Sequence, residues 1–237
     1  MSKKKAAAAL YEGKAKIVYP GETDSEVIIH FKDDATAFDG LKKGKIKGKG
    51  VINNTMSAHF FKYLEGYNVP THFIDKISDN EMKVKKVEII KVEVVMRNYA
   101  AGSLCKRYGL EEGLELSSPV LEFYYKEDSL HDPLMNEYHA YAMNLATKDE
   151  IQHISKQAFK INAVLRSYFQ RRGILLVDFK LEFGRFGDKI LLADEISPDT
   201  CRFWDADTKK KLDKDRFRQD LGSVEEAYKE ILDRVLK

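Results

Sequence analysis

Cysteine is scarce in this sequence, since the 237 residues include only Cys105 and Cys201. Two cysteines exclude the disulfide framework of small secreted proteins and favour a reducing, cytoplasmic compartment. Neither lies in a recognisable nucleophile motif, so an inert thiol is the favoured interpretation. No secretory leader is expected, because the N-terminal apolar run AAAAL is shorter than the ~7–15 residues that a signal peptide needs.

Net charge and long apolar runs are lacking as well. The sequence has 40 Lys and Arg against 38 Asp and Glu, a net charge of +2. This balance gives no support for a nucleic-acid partner, and no apolar run approaches a membrane span. With 43% apolar and 33% charged residues, the chain is expected to form one large domain or two small lobes around a sizeable core.

Familiar metal and nucleotide motifs are also absent. The six histidines show no HExxH spacing, and YEGKAKIVY is neither a Walker A motif nor a dinucleotide fingerprint. That segment does contain Gly13 with Lys14 and Lys16, a pattern that could cover the phosphates of a nucleotide as in protein kinases. A solvated strand face is the alternative interpretation.

The apolar periods predict an α+β protein, with an N-terminal antiparallel β lobe followed by a larger mixed lobe. Strands are predicted at 10–19, 26–31, 72–77, 81–86 and 87–96. Helices are predicted at 52–65, capped by Asn53 or Asn54; at 148–172, with a capping box of Thr147 and Glu150; and at 223–237, with a box of Ser223 and Glu226. The lysine- and glycine-rich segment 41–50 is predicted to be a flexible basic loop.

The segment LLVDFKLEFG (175–184) is a predicted strand with Asp178, Lys180 and Glu182 at every second position. These charges should share one face while the apolar residues take the other. The strand is predicted to pair with 189–196, and a turn centred near Gly187 would place Asp194 opposite Lys180. Close carboxylates need a cation between them, which predicts a Mg²⁺ site. A structural salt-bridge face is the alternative.

Two arginine-containing segments suggest anion binding. Arg97 precedes Gly102 and Ser103, which open a predicted short helix whose N-terminus suits an anion; a plain N-cap is the alternative. Arg202 follows the second hairpin and is able to fork onto a phosphate or to pair with Asp205. Arg218 is a further candidate for anion binding, and Asp132, which lies in a loop, is a candidate for substrate contact.

The order and spacing of six segments indicate a protein family: LYEGKAKIVY, VVMRNYAAGSLCKRYG, HDPLMNE, LLVDFKLEFG, DEISPDTCRFWD and DKDRFRQDLG. Together they resemble the bacterial SAICAR synthetases, the phosphoribosylaminoimidazole-succinocarboxamide synthases, from about residue 10 to the end. The resemblance implies a ligase of de novo purine biosynthesis that forms a C–N bond. It would join L-aspartate to the carboxylate of carboxyaminoimidazole ribotide, giving SAICAR, ADP and phosphate through an acyl phosphate. The implied fold has a kinase-like β lobe (1–90), a C-terminal α/β lobe (91–237) and an ATP cleft between them.

The resemblance also implies roles for particular residues. Nucleotide-binding positions would be Gly13, Lys14, Ala15, Lys16, Lys85, Lys86, Val87, Ile89 and Lys126. Mg²⁺ bound to ATP would be held by Glu182 and Asp194, which join Asp178 and Lys180 as the catalytic set. Ribotide or other substrate positions would be Arg97, Ser103, Asp132, Asp178, Lys180, Arg202 and Arg218. Asp39 fits a segment near the phosphates without a defined role, and segment 41–50 departs from the family pattern.

Two other function classes remain open at this point. A small-molecule kinase explains the lysines and carboxylates, but it does not need both the Arg97–Ser103 pair and Arg202. An RNA-binding module would use 41–50, but this segment has no aromatic residue for base stacking. The expected partners are small molecules, with no nucleic acid or membrane, and the resemblance implies a homodimer.

Overall fold

Short strands and amphipathic helices alternate irregularly along the chain, in agreement with the predicted α+β class. The computed structural model describes residues 8–37 and 40–237, so Asp39 lies outside the described residues. The strands are β1 (Tyr11–Glu12), β2 (Lys16–Pro20), β3 (Glu26–Phe31), β4 (Asp34–Ala37), β5 (Lys42–Lys45), β6 (Phe73–Lys76), β7 (Glu81–Lys85), β8 (Glu88–Ile89), β9 (Val92–Tyr99), β10 (Glu115–Tyr125), β11 (Leu134–Met135), β12 (Ile174–Phe186), β13 (Lys189–Ala193) and β14 (Cys201–Asp205). The helices are α1 (Lys49–Glu65), α2 (Ser103–Tyr108), α3 (Glu137–Ala142), α4 (Lys148–Gln170), α5 (Asp215–Arg218) and α6 (Val224–Leu236), with a 3₁₀ turn at Asp128–Leu130.

The N-terminal sheet is antiparallel, with strand order β1-β2-β3-β7-β6. The predicted single strand 10–19 is in fact two strands, because Tyr11 pairs with Val18 and Glu12 with Ile17. The chain therefore reverses at residues 13–15, where Gly13 N donates to Lys16 O at 2.8 Å. This reversal moves the Gly-Lys-Ala segment from a strand face to the tip of a hairpin.

The second sheet is arranged around the long strand β12. Its order is β11-β10-β9-β12-β13, and β14 and β8 also pair with β12. One half of β12 lies between β9 and β14, and the other half pairs with β13 and β8. Because neighbouring strands cover both of its edges, β12 holds its side chains in fixed positions at the centre of the molecule.

A continuous hydrophobic core joins both sheets to the long helices. It contains Val27 and Ile29 of the first sheet, Phe179 and Leu181 of the second, and apolar positions of α1, α4 and α6. The prediction that all apolar residues of 175–183 share one face is wrong at the start of β12. A bulge between Leu176 and Asp178 places Leu176 in the main core, whereas Leu175 and Val177 pack with Trp204.

Three further local predictions are corrected. Segment 41–50 is not a flexible loop, because β5 pairs with β4 and α1 begins at Lys49. Asn54 does not cap that helix; its amide donates to the carbonyls of Ser78, Asp79 and Glu81. Helix α4 forms the predicted capping box, but Ser223 makes no side-chain cap for α6.

Candidate active site

Two adjoining cavities lie between the sheets. The first, of about 440 Å³, is lined mainly by charged side chains, including Glu93, Asp178 and Arg202. The second, of about 730 Å³, has an apolar lining that includes Val18, Val27, Ile29, Val84, Val87 and Ile89. Their shared wall consists of Tyr11, Lys16, Lys126, Asp128, Glu182 and Asp194. An apolar chamber that opens onto a charged one suits a ligand with an aromatic base and a polyanionic end.

The β1–β2 hairpin contributes the predicted lysines to this wall. Lys14, at the tip, donates from Nζ to Asp128 Oδ1 at 2.9 Å. Lys16 reaches further inward, where its ammonium pairs with Asp194 and with Glu195 Oε1 at 2.8 Å. Burial disfavours the charged form of Lys16, but the two carboxylates outweigh it and raise its pKa. Lys16 therefore remains a positive charge at the boundary of the two cavities.

The charged row of β12 is enclosed, which its alternation alone does not predict. Asp178 and Glu182 are 3% and 4% exposed, which excludes an ordinary solvated strand face. Lys180 pairs with Glu182, and its Nζ lies 2.9 Å from Glu93 Oε1 and 3.6 Å from Asp194 Oδ2. Lys126 Nζ donates to Glu182 Oε1 at 2.9 Å. One ionic network thus surrounds the Lys180 ammonium, and its members are Glu93, Lys126, Glu182 and Asp194.

Asp194 reaches this network by a different route from the predicted one. Glu182 pairs with Ala193, so the hairpin register is one residue away from a turn centred on Gly187. Strand β13 ends at Ala193, and Asp194 adopts a left-handed backbone conformation with φ of 61°. This turn in the backbone brings its carboxylate to Lys180 despite the register, where Lys16 and Lys180 overcome the effect of burial and lower its pKa.

The carboxylates of Glu182 and Asp194 fit a hard divalent cation. Both contact the Lys180 ammonium, so both point into the same part of the first cavity. Among residues 8–37 and 40–237, no cluster of three or more acidic, histidine or cysteine side chains is arranged to hold a metal ion. Mg²⁺ commonly binds through one or two carboxylates and takes its remaining ligands from phosphate and water, which agrees with this donor set.

The predicted anion-binding residues meet around Asp178. On β9 and β14, Arg97 and Arg202 are the cross-strand neighbours of Asp178, one on each side. Arg97 Nη1 donates to Asp178 Oδ2 at 2.7 Å and Arg202 Nη1 at 2.8 Å. Arg97 Nη2 also lies 3.1 Å from Ser103 Oγ at the start of α2. Gly102 has a φ of 55°, which residues with a side chain rarely adopt, so this position favours glycine; a Cβ there would also lie 2.6 Å from Arg202 Nη2.

The other predicted residues lie at the edges of the cavities. Lys85, Lys86, Val87 and Ile89 line the apolar chamber, and Lys85 Nζ donates to Thr71 O at 3.1 Å. Arg218 and Asp132 line the charged chamber, although Asp132 Oδ1 also accepts from Glu127 N at 2.9 Å. The structure therefore brings the predicted site residues to one of the two adjoining cavities, with the exception of Ser103, which lines neither cavity and instead contacts Arg97.

Comparison with known proteins identifies the family. A sequence profile described as SAICAR synthetase matches residues 9–235. The phosphoribosylaminoimidazole-succinocarboxamide synthase of Thermoanaerobacter sp. (strain X514) is 62% identical over 226 residues, covering 95% of this chain and 96% of the relative. The chain belongs to the SAICAR synthetase family.

Solved structures of SAICAR synthetases have the same fold. The enzyme from Ehrlichia chaffeensis superposes with a TM-score of 0.94 at 46% identity, covering 96% of this chain and 98% of the other. A SAICAR synthetase in complex with ADP gives a TM-score of 0.93 at 53% identity, covering 96% and 97%. The resemblance inferred from the six motifs is confirmed, and with it the fold class and the expected ligase function: ATP-dependent joining of L-aspartate in purine biosynthesis.

Sequence reasoning missed several residues of this SAICAR synthetase site. Glu93 on β9 pairs with Lys180, and burial raises the pKa of its carboxyl. It lies two and four residues before Val95 and Arg97, so the strand alternation that identified β12 also applied here. Glu122, Tyr124 and Asp215 gave no signal, because their importance depends on contacts with distant arginines.

None of the helices in the described part of the chain is both long and apolar enough to cross a bilayer.

Proposed function

We propose that this member of the SAICAR synthetase family activates the carboxylate of carboxyaminoimidazole ribotide as an acyl phosphate before L-aspartate attacks. The observation that carries the proposal is the shared wall of the two cavities, where Lys16, Lys126, Glu182 and Asp194 stand between an apolar and a charged chamber. A γ-phosphate at this wall would face an acceptor in the charged chamber.

The apolar chamber is proposed to hold the adenine of ATP. Lys85, Lys86, Val87 and Ile89 line this chamber together with Val18 and Val27. Gly184 supports this wall, because a Cβ there would come within 2.5 Å of Val87 and force the wall away. Lys14 and Ala15 at the hairpin tip and Lys16 below it would cover the phosphates. The ADP complex of a 53% identical SAICAR synthetase supports a nucleotide in this family.

Glu182 and Asp194 are proposed to hold Mg²⁺ together with the ATP phosphates. Such an ion would neutralise charge on the transferring phosphoryl group. Lys16 and Lys126 already contact the same carboxylates, so they stand within reach of phosphate oxygens at the same place. The protein's own contribution is a set of fixed charges, which suits phosphoryl transfer because that reaction depends on positioning and electrostatics.

Arg97, Ser103, Arg202 and Arg218 are proposed to bind the ribotide, and Asp178 and Lys180 to face its reacting end. A carboxylate oxygen of the ribotide attacks the γ-phosphorus, and ADP leaves. The aspartate amine then attacks the acyl carbon, and the bond between that carbon and the phosphate oxygen breaks. Inorganic phosphate leaves, and the amine loses a proton as the amide forms. Lys180 stabilises negative charge on the acyl phosphate, since its ammonium lies in the charged chamber beside Glu182 and Asp194, the proposed Mg²⁺ ligands. Asp132 at the rim of the charged chamber is proposed as a substrate contact.

Homodimer formation and a cytoplasmic location are proposed from the family resemblance and from the reducing compartment that the two cysteines favour. The boundary between lobes at residues 90 and 91 is proposed on the same basis. Sedimentation of the purified chain tests the dimer directly.

Omitting each substrate in turn tests the proposed course of the reaction. ADP and phosphate release are measured with ATP, ribotide and L-aspartate, and again with each one left out. We expect ADP formation to require the ribotide, and hydroxylamine to trap a hydroxamate of the ribotide when aspartate is withheld. ADP formation at full rate without ribotide would contradict the ligase and favour an ATPase or a kinase for another acceptor. Absence of the hydroxamate with normal SAICAR formation would contradict the acyl phosphate alone.

A further inference from the structure

A row of alternating arginines and carboxylates crosses the second sheet below the charged cavity. In spatial order, its members are Arg107, Glu122, Arg97, Asp178, Arg202, Asp215 and Arg218. Each carboxylate in the row contacts two guanidinium groups. Four arginines and three carboxylates leave the row with an excess positive charge, which suits an anionic ligand.

Two of the three carboxylates lie behind the arginines. Arg97, Arg202 and Arg218 line the charged cavity, whereas Glu122 and Asp215 are not among the described residues that line it. Both are buried, at 8% and 1% exposed. They are therefore placed to act on the arginines and not on a molecule in the cavity.

Asp215 connects two of these arginines. Its Oδ2 accepts from Arg202 Nε at 2.7 Å, and its Oδ1 accepts from Arg218 Nη1 at 2.6 Å. Arg202 Nη1 is held at the same time by Asp178, so two nitrogens of one planar group are fixed. The third, Nη2, then lies over the backbone of Gly102, next to Ser103. Two anchored nitrogens define the plane of a guanidinium group and hence the direction of its remaining N–H bonds.

Glu122 has the matching position on the other side of Asp178. Its Oε2 accepts from Arg97 Nε at 2.6 Å and from the Tyr124 hydroxyl at 2.9 Å. Its Oε1 accepts from Arg107, which comes from α2. Arg97 is thus held at Nε by Glu122 and at Nη1 by Asp178, as Arg202 is held by Asp215 and Asp178.

We propose that Glu122 and Asp215 are positioning residues that set the guanidinium planes of Arg97, Arg202 and Arg218 for the ribotide without touching it. This rests on the proposed function, which assigns those three arginines to the ribotide. Loss of Glu122 or Asp215 leaves the arginines charged but removes one of the two contacts that fix the guanidinium plane of Arg97 or Arg202, so binding of the ribotide should suffer while the nucleotide chamber stays intact.

Steady-state kinetics of Glu122→Gln and Asp215→Asn test this inference. We expect the KM for ribotide to rise roughly 10- to 100-fold, because small misplacements of substrate-binding groups have effects of this size. The KM for ATP should stay within about twofold. Glu115→Gln is the matched control: it lies on β10 like Glu122 and pairs with Arg166 at 2.5 Å, but this pair is exposed and remote from the arginine row.

The conservative variants separate positioning from net charge. Glu122→Asp and Asp215→Glu keep the carboxylate but change its reach by one methylene. Under the proposal, the KM for ribotide stays raised in both; recovery of the wild-type KM in both would overturn it, since charge alone would then suffice. An unchanged KM in the amide variants, or equal rises in KM for ribotide and for ATP, would overturn it as well.

Arg107 is a partly exposed member of the row, so its substitution is expected to leave the fold intact. If the buried amide variants do not fold, Arg107→Gln removes one of the two arginines that hold Glu122, and the Arg107 side chain is 26% exposed. We expect the same selective rise in KM for ribotide, of smaller size, and no rise would overturn the proposal. Wild-type protein that shows no ribotide dependence in the same assay would instead contradict the proposed function.

Discussion

Lys180 is a fixed positive charge and not a proton acceptor. Burial favours its neutral form, but Glu182, Asp194 and Glu93 surround the ammonium and raise its pKa well above the ordinary value. A lysine in this state keeps its proton throughout the neutral pH range. Its contribution to the proposed reaction is therefore electrostatic, as expected for a site that transfers a phosphoryl group.

Glu182→Gln is expected to lower turnover by roughly 10²- to 10³-fold, the size of effect seen when one group that stabilises a transition state is removed. The amide is a weaker ligand for Mg²⁺, so the apparent affinity for Mg-ATP should fall too. Kinetics over a range of Mg²⁺ concentration, with circular dichroism as a check on the fold, measure both effects.

Glu88→Gln is the control for this substitution, because Glu88 faces solvent on β8 and its partner Arg185 is 3.1 Å away. Turnover close to wild type in Glu182→Gln would contradict the proposed metal-ligand role, whatever the control shows.

Single residues of the site were predictable where the strand period carried the signal. Asp178, Lys180 and Glu182 follow from a period of two in β12. The expected hairpin register is off by one, but Asp194 still lies beside Lys180, because a positive φ redirects its side chain. Sequence patterns do not specify that backbone conformation. Asp215 and Glu122 were not predictable, since their roles arise from pairing between segments distant in the chain.

Helices α4 and α6 show how the same capping pattern in the sequence can give different helix N-termini. Thr147 and Ser223 both precede a glutamate by three residues, but only Thr147 forms a capping box. Thr147 has the extended backbone that a capping side chain needs, with ψ of 165°. Ser223 follows Gly222 in a left-handed conformation, with φ of 46°, so its hydroxyl does not reach the helix N-terminus.

Glu150→Gln is expected to lower the free energy of unfolding by about 1 kcal/mol at pH 7, because glutamine can still form the capping box but loses the ion pair with Arg185. Hydrogen bonds from Arg185, and then from Thr147, lower the pKa of Glu150 from 4.5 to about 2 against a smaller effect of burial. Because the folded-state pKa is below the unfolded value, this stabilisation is complete above about pH 4.5 and is lost as the pH falls towards 2. Urea titrations at pH 7 and at pH 2.5 measure the difference.

Asp149→Asn provides the comparison, since Asp149 lies in the same first turn of α4 and is exposed. Equal losses of stability in both variants at pH 7 would mean that helix-dipole charge, and not the ion pair with Arg185, accounts for the effect.

At the scale of the whole molecule, a buried junction fastens the C-terminal helix to the active site. Lys49 at the start of α1 donates from Nζ to Asp199 Oδ2, and Tyr228 of α6 donates to Asp199 Oδ1, both at 2.7 Å. Asp199 also lines the charged cavity. The side chains of Lys49 and Asp199 are almost fully buried, at 1% and 4% exposed. Each therefore depends on its protein partners, and not on water, for its hydrogen bonds.

Tyr228→Phe is expected to lower the free energy of unfolding by about 1–3 kcal/mol, because it leaves a buried carboxylate oxygen without its donor. Tyr67→Phe is the control: the Tyr67 side chain is exposed, and its hydroxyl contacts only the Tyr63 hydroxyl, at 3.1 Å, among the hydrogen bonds of the described residues. Denaturant unfolding measures both variants. Equal stability of Tyr228→Phe and wild type would mean that Asp199 is satisfied without the tyrosine.

The order of strands around β12 was beyond sequence reasoning for a physical reason. Each hairpin follows from a local turn, but the pairing of β12 with β8 and β9 joins segments about 90 residues apart. Such contacts depend on which faces can be buried together, and a single sequence does not specify that choice. The fold class, the β12–β13 hairpin and the long helices were therefore predictable, whereas the β1–β2 and β4–β5 hairpins and the way in which the two sheets meet were not.

Strand β12 also limits how this enzyme can change over evolution. Asp178, Lys180 and Glu182 occur at intervals of two residues, or roughly 6.6 Å, between edges that are both hydrogen-bonded. A one-residue insertion or deletion within this stretch would exchange the two faces, turning Glu182 into the core and Phe183 into the cavity. Substitutions here change the charge of the site, but length variants would destroy it. New substrate sizes would have to come from the surrounding loops, while the length of this strand stays constant.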